Sequence, residues 1–124
     1  MDVQKHMEYW RYGSEEDIAA ARSLFEKQHF RHSFFLAHWA IEKMLKAHVT
    51  RQTKDVPPRI HNLVRLAELA ELALSPERWQ TLREFEAYQL EGRYPEAAQV
   101  PLDARTARPE IARAEEMLKW LKTR

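Results

Sequence analysis

Residues 30–51 read FRHSFFLAHWAIEKMLKAHVTR, and this stretch decides the fold. Wound as a helix of about 3.6 residues per turn, it leaves little polar circumference, because Phe34, Phe35, Leu36, Ala37, Trp39, Ala40, Ile41, Met44, Leu45 and Ala47 spread over nearly every side. A helix that is apolar almost all round has to be covered by its neighbours. The segment therefore reads as the central, most buried helix of a bundle. Its longest apolar run, Phe34 to Ile41, is interrupted by His38 and falls far short of the roughly 20 residues that a membrane span needs.

The flanking sequence supplies the covering helices. From about Val3 to Lys27, Ile18, Ala21, Leu24 and Phe25 keep to one side at helical spacing, with Gly13 as the soft point of one long helix. Ser14 followed by Glu15, Glu16 and Asp17 offers an alternative start within it, with Ser14 as N-cap. Beyond the central helix, Gln52 to Arg59 contains Pro57-Pro58, which cannot continue a helix. A third helix is expected from His61 to about Leu74, with Leu63, Leu66, Ala67, Ala70 and Leu74 inward and Arg65, Glu68 and Glu71 outward. Ser75-Pro76-Glu77 then reads as N-cap, first-turn proline and an acid at the positive dipole end. The fourth helix that follows turns Trp79, Leu82, Phe85 and Leu90 inward and Glu86 outward, and Gly92 marks its end.

Arg93 to Arg105, with Pro95 and Pro101, holds no sustained period and reads as an ordered connection. The last helix, Thr106 to Lys122, accommodates Pro109 in its first turn and presents Ile111, Ala114, Leu118 and Leu121 as a seam. The expectation is an all-α, antiparallel up-and-down four-helix bundle with one additional short helix, five helical segments in a single domain over residues 1–124.

Bulk composition narrows the function. No cysteine is present, so disulfides and thiolate sites are excluded, and a reducing cytoplasm is the expected setting. The opening MDVQKHMEYWRYG carries Asp2, His6 and Glu8 where a secretion signal would be apolar. With 20 basic and 19 acidic side chains, the net charge of +1 creates no long-range field for a polyanion.

Within the apolar central helix, His38, Glu42 and Lys46 stand at i, i+4 and i+8 and form one polar stripe. Two readings fit it. One is a surface His–Glu–Lys ladder. The other is a pocket in which Glu42 orients a bound group while Lys46 and His38 hold an anion. His61, at a helix start, could cap the helix or face a ligand. Tyr94 suits base stacking and Arg93 bidentate phosphate binding, against the alternative of packing and a helix-end salt bridge. His29 and His32 provide two metal ligands where zinc takes three or four, so no metal is expected. Trp10, Trp39 and Trp120 either fill the core or leave a stripe for a partner.

Three segments, in order, resemble the HEPN family. Ala37-His38-Trp39-Ala40-Ile41-Glu42-Lys43-Met44-Leu45-Lys46-Ala47 is similar to its AQQAVEKALKA-type second helix, Ile60-His61-Asn62-Leu63 to its T-H-D-L helix start, and Arg93-Tyr94-Pro95 to its R-Y-P signature. His38 and Trp39 replace two common glutamines, and Asn62 replaces an aspartate. The resemblance implies a prokaryotic helical bundle that commonly dimerises and binds nucleotides. It also implies a minimal nucleotidyltransferase partner in a toxin–antitoxin or nucleotide-handling pair.

Many family members are metal-independent ribonucleases that use an arginine and a histidine with four to six residues between them, late in the bundle and paired across a dimer. Here all six histidines, the last being His61, precede the fourth helix, so that motif is missing. The spacing recurs early, at Arg22 to His29 and Arg31 to His38, where chance accounts for it. The sequence thus favours a homodimeric binding module without a cofactor, at His38, Glu42, Lys46, His61, Arg93 and Tyr94, over an enzyme. The alternative is an endoribonuclease toxin that cuts RNA with His38 or His61 and a nearby arginine across the dimer.

Overall fold

The Asp2 carboxylate accepts the Lys5 amide at 3.1 Å, and this cap opens α1, Val3–Glu26. The computed structural model describes the backbone of residues 1–93 and 103–124, and the side chains of residues 1–87 and 103–124. At the end of α1, Gln28 takes a left-handed φ of 67° and the His29 amide donates to the Leu24 carbonyl at 2.9 Å. The chain reverses there, and α2, Phe30–Thr53, runs back along α1.

Gly13 does not interrupt α1. The Lys43 side chain of α2 crosses over it, and a Cβ at that position would lie 3.1 Å from Lys43 Cδ, so the missing side chain serves a close approach. Ser14 is no cap. It is buried, and its hydroxyl donates to the Ala40 carbonyl at 2.6 Å, while Ser33 donates to the Ala21 carbonyl at 2.7 Å. These two bonds stitch α1 to α2, each contributing about 1 kcal/mol.

As its composition demands, α2 is covered on nearly all sides and packs against each of the other four helices. Ala37, Ala40, Ile41, Leu45 and Ala47 are fully buried. Lys54, at a φ of 56°, ends the helix, and the segment that follows buries Pro57 before α3.

The third helix is shorter than its sequence suggests: α3 spans Leu63–Leu69. Asn62, not His61, is its N-cap, with the side chain accepting the Arg65 amide at 2.8 Å. The helix stops because Glu71 turns left-handed, at a φ of 54°. Leu72 and Leu74 still pack on the core, but from non-helical backbone.

α4, Pro76–Arg93, begins as expected, with Ser75 Oγ accepting the Arg78 amide at 3.2 Å, and runs one residue past Gly92. Leu82 and Phe85 are fully buried. Glu86 does not point to solvent. It is half-buried and its carboxylate accepts the Leu63 amide, so α4 caps the first turn of α3.

α5, Ala104–Lys122, starts two residues before Thr106, because Asp103 accepts the Thr106 amide at 2.8 Å and supplies the cap. Pro109 consequently sits in the second turn and leaves one helical acceptor without its amide partner. The seam of Ile111, Ala114, Leu118 and Leu121 is buried as expected, joined by Met117. The connection expected over Arg93 to Arg105 lies largely outside the described residues, among which every regular element is a helix and none is a strand.

His48 ties α2 to the end of α5. It is 1% exposed, with Nε2 2.8 Å from the Leu121 carbonyl, so Nε2 carries the proton. Burial pulls its pKa below the usual 6.5; the Leu121 bond opposes this, and the Arg51 and Arg11 charges reinforce it. Below about pH 6.5 the unfolded chain therefore takes up a proton that the folded chain resists, and stability falls as pH falls. Thermal unfolding at pH 7.5 and 5.5 is expected to show this loss, and His48→Gln to reduce it.

Candidate functional site

The polar stripe of α2 becomes a site because the 54–62 segment folds back over it. Glu42 and Lys46, one turn apart, are each 7% exposed, and Lys46 Nζ lies 3.0 Å from Glu42 Oε2. From the start of α3, His61 brings Nδ1 to 3.1 Å from both Glu42 oxygens. An imidazole nitrogen facing two carboxylate oxygens carries a proton, so His61 donates through Nδ1. Its side chain remains about half exposed, at 51%. His38, one turn before Glu42, is fully buried with Nδ1 3.8 Å from Glu42 Oε1.

Glu42 is thus a buried carboxylate ringed by Lys46, His61 and His38. Such a charge survives burial only because its partners offset the lost hydration. The surface-ladder reading of the stripe does not hold, since all three of its side chains are buried. Glu86 adds a second carboxylate to this region. Burial raises its pKa, the Leu63 amide opposes the rise, and the Glu42 charge adds to it.

Beside this cluster opens a cleft of about 510 Å³ between α1 and the segment that enters α3. Its α1 wall is Lys5, His6, Tyr9 and Trp10; Val56, Pro57, Pro58 and Arg59 face them. Lys46 belongs to both features: it holds Glu42 and lines the cleft, with its ammonium 5.4 Å from the Trp10 ring centroid. The cleft is of the size that small-molecule sites occupy. Lys5, Lys46 and Arg59 give it positive charge, and two aromatic rings give it a surface for a planar group.

Of the six residues singled out from sequence, the structure brings four together: His38, Glu42, Lys46 and His61. Arg93 is the last residue of α4, its side chain outside the described residues, and Tyr94 lies outside them altogether. Sequence reasoning missed Lys5, His6, Tyr9, Arg59 and Glu86, and weighed Trp10 only for the core or a partner. The i, i+4 spacing of Lys5 with Tyr9 and of His6 with Trp10 was the available signal on α1. The approach of Arg59 depends on the tertiary fold.

Of the early arginine–histidine spacings, Arg22 to His29 has its guanidinium bonded instead to Glu115 of α5. His29 and His32 meet edge to face, with ring centroids 6.4 Å apart, and among the described residues no group of three or more His, Asp or Glu could hold a metal ion. Each of the three tryptophans weighed for the core or a partner is half-buried and carries a cation over its ring: Lys46 on Trp10, Lys43 on Trp39, and Arg78 and Arg124 on Trp120. Among the described residues no helix is long and apolar enough to cross a membrane.

No curated protein matches the chain. The backbone is similar to the crystal structure of an archaeal HEPN homologue, with a TM-score of 0.69 and 22% sequence identity over 94% of this chain and 95% of that one. At that identity the likeness concerns the fold. The HEPN domain model matches residues 7–124, from the second turn of α1 to the end of the described chain, and with its three ordered motifs and five-helix bundle the protein belongs to the HEPN family.

Proposed function

We propose that the chain is a non-catalytic nucleotide-binding and interaction module, acting as a homodimer with a minimal nucleotidyltransferase partner in a toxin–antitoxin-like pair. The observation that supports this best is the buried Glu42 carboxylate, which fixes Lys46 at the wall of a cleft and His61 at the surface. A lysine whose position is set by a buried partner is preorganised for an anion, since its rotamer entropy has already been spent in folding. HEPN family membership adds the nucleotide as the class of ligand, and the absence of any histidine after His61 argues for binding over RNA cleavage.

Calorimetric titration of the purified chain with nucleotides is expected to show saturable binding. Affinity purification from cells that co-express a minimal nucleotidyltransferase should recover both proteins, and structured or unstructured RNA should emerge intact from incubation. Absence of both nucleotide binding and co-purification would sink the reading. Cleavage abolished by His61→Ala would replace it with the ribonuclease alternative.

A further inference from the structure

We infer that the cleft between α1 and the 56–59 segment takes a small nucleoside phosphate, with its planar ring against Tyr9 and Trp10 and its phosphate against Lys5, Lys46 and Arg59. This rests on the nucleotide-binding reading above and assigns that reading a place and a ligand class. The Lys46 ammonium has three donors, of which the bond to Glu42 at 3.0 Å uses one, so donors remain for a phosphate oxygen. Arg59 is exposed and adds a guanidinium, whose planar fork matches phosphate. Tyr9 is 69% exposed, which leaves its ring available to a base.

The surroundings favour a small ligand over a strand. Next to the cleft, a hollow of about 110 Å³ continues past Tyr9 and Trp10, but Glu16 lines it, and Lys43 beside it is held by Asp17 at 2.8 Å. A second backbone phosphate entering there would meet a carboxylate and a cation already paired. The near-zero net charge adds no attraction for a longer polyanion.

Calorimetry on the full chain with four probes tests this: AMP, ATP, inorganic triphosphate and a short oligouridylate. The unaltered chain is expected to bind AMP and ATP. Arg59→Gln should weaken ATP and triphosphate alike by about tenfold, the loss of a charged hydrogen bond. Tyr9→Ala should weaken AMP and ATP by at least about fivefold while leaving triphosphate unchanged, as the loss of one stacked ring implies. Both positions are exposed, so the variants should keep the parent unfolding temperature.

ATP binding that neither variant alters would overturn the cleft assignment and leave the nucleotide-binding reading standing. Failure of the unaltered chain to bind any nucleotide would instead overturn the nucleotide-binding half of the proposed function. Oligouridylate bound more tightly than ATP would overturn the small-ligand assignment.

Discussion

Glu42→Ala is expected to destabilise the protein by about 3–5 kcal/mol, with a fall in Tm on the order of 10–20 °C. The cause is less the lost attraction than what remains behind. Lys46 would keep its ammonium in a site where it is 7% exposed, with no carboxylate to offset its lost hydration, and His61 would lose the acceptor that both of its Nδ1 contacts share. Replacing the pair together, Glu42→Leu with Lys46→Met, should bring stability back close to the parent, because no charge is then left unpaired in the interior. Urea unfolding of the three proteins decides the matter. A Glu42→Ala loss below about 1 kcal/mol would mean that water reaches the pair and that it behaves as a surface ladder.

The second large effect is expected at Phe85. Its ring is fully buried in the core cluster shared with Ile41, Leu63 and Leu66, and Phe85→Ala should cost about 3–5 kcal/mol through lost burial and an unfilled cavity. Tyr12 provides the contrast. At 67% exposure it should tolerate alanine within about 0.5 kcal/mol. Equal losses at the two positions in denaturant unfolding would contradict the burial of α4 against the core.

Most of the fold was legible because its signals are local. The all-round apolar α2, the Ser75-Pro76 start of α4 and the seam of α5 each follow from residue spacing and capping chemistry within one helix. Two helix ends differ from what their local patterns suggest. α3 ends at a left-handed Glu71, and the apolar pattern runs on through Leu72 and Leu74, so periodicity without a glycine stop overestimated the helix. α5 begins at Ala104 because Asp103 caps it, so Pro109 falls in the second turn although proline favours the first.

The site divides in the same way. His38, Glu42 and Lys46 share one helical face and could be read as a set from their spacing. That they are buried, that His61 joins them and that Glu86 turns inward depend on how the 54–62 segment and α4 dock, which no local pattern reports. The cleft was hidden for the same reason, since its two walls are separated in the chain by the whole of α2.

Assembly order follows from these separations. The Glu42–Lys46 pair spans 4 positions and needs only a single turn of α2. The His61–Glu42 contact must close a segment of 19 residues, and the Glu86 cap on Leu63 one of 23. The cation can thus be neutralised while the rest of the bundle is still open, but the histidine and the far wall of the cleft arrive only as α3 and α4 come down. The geometry of the cleft is therefore a late product of docking, laid over an ion pair that α2 can build alone.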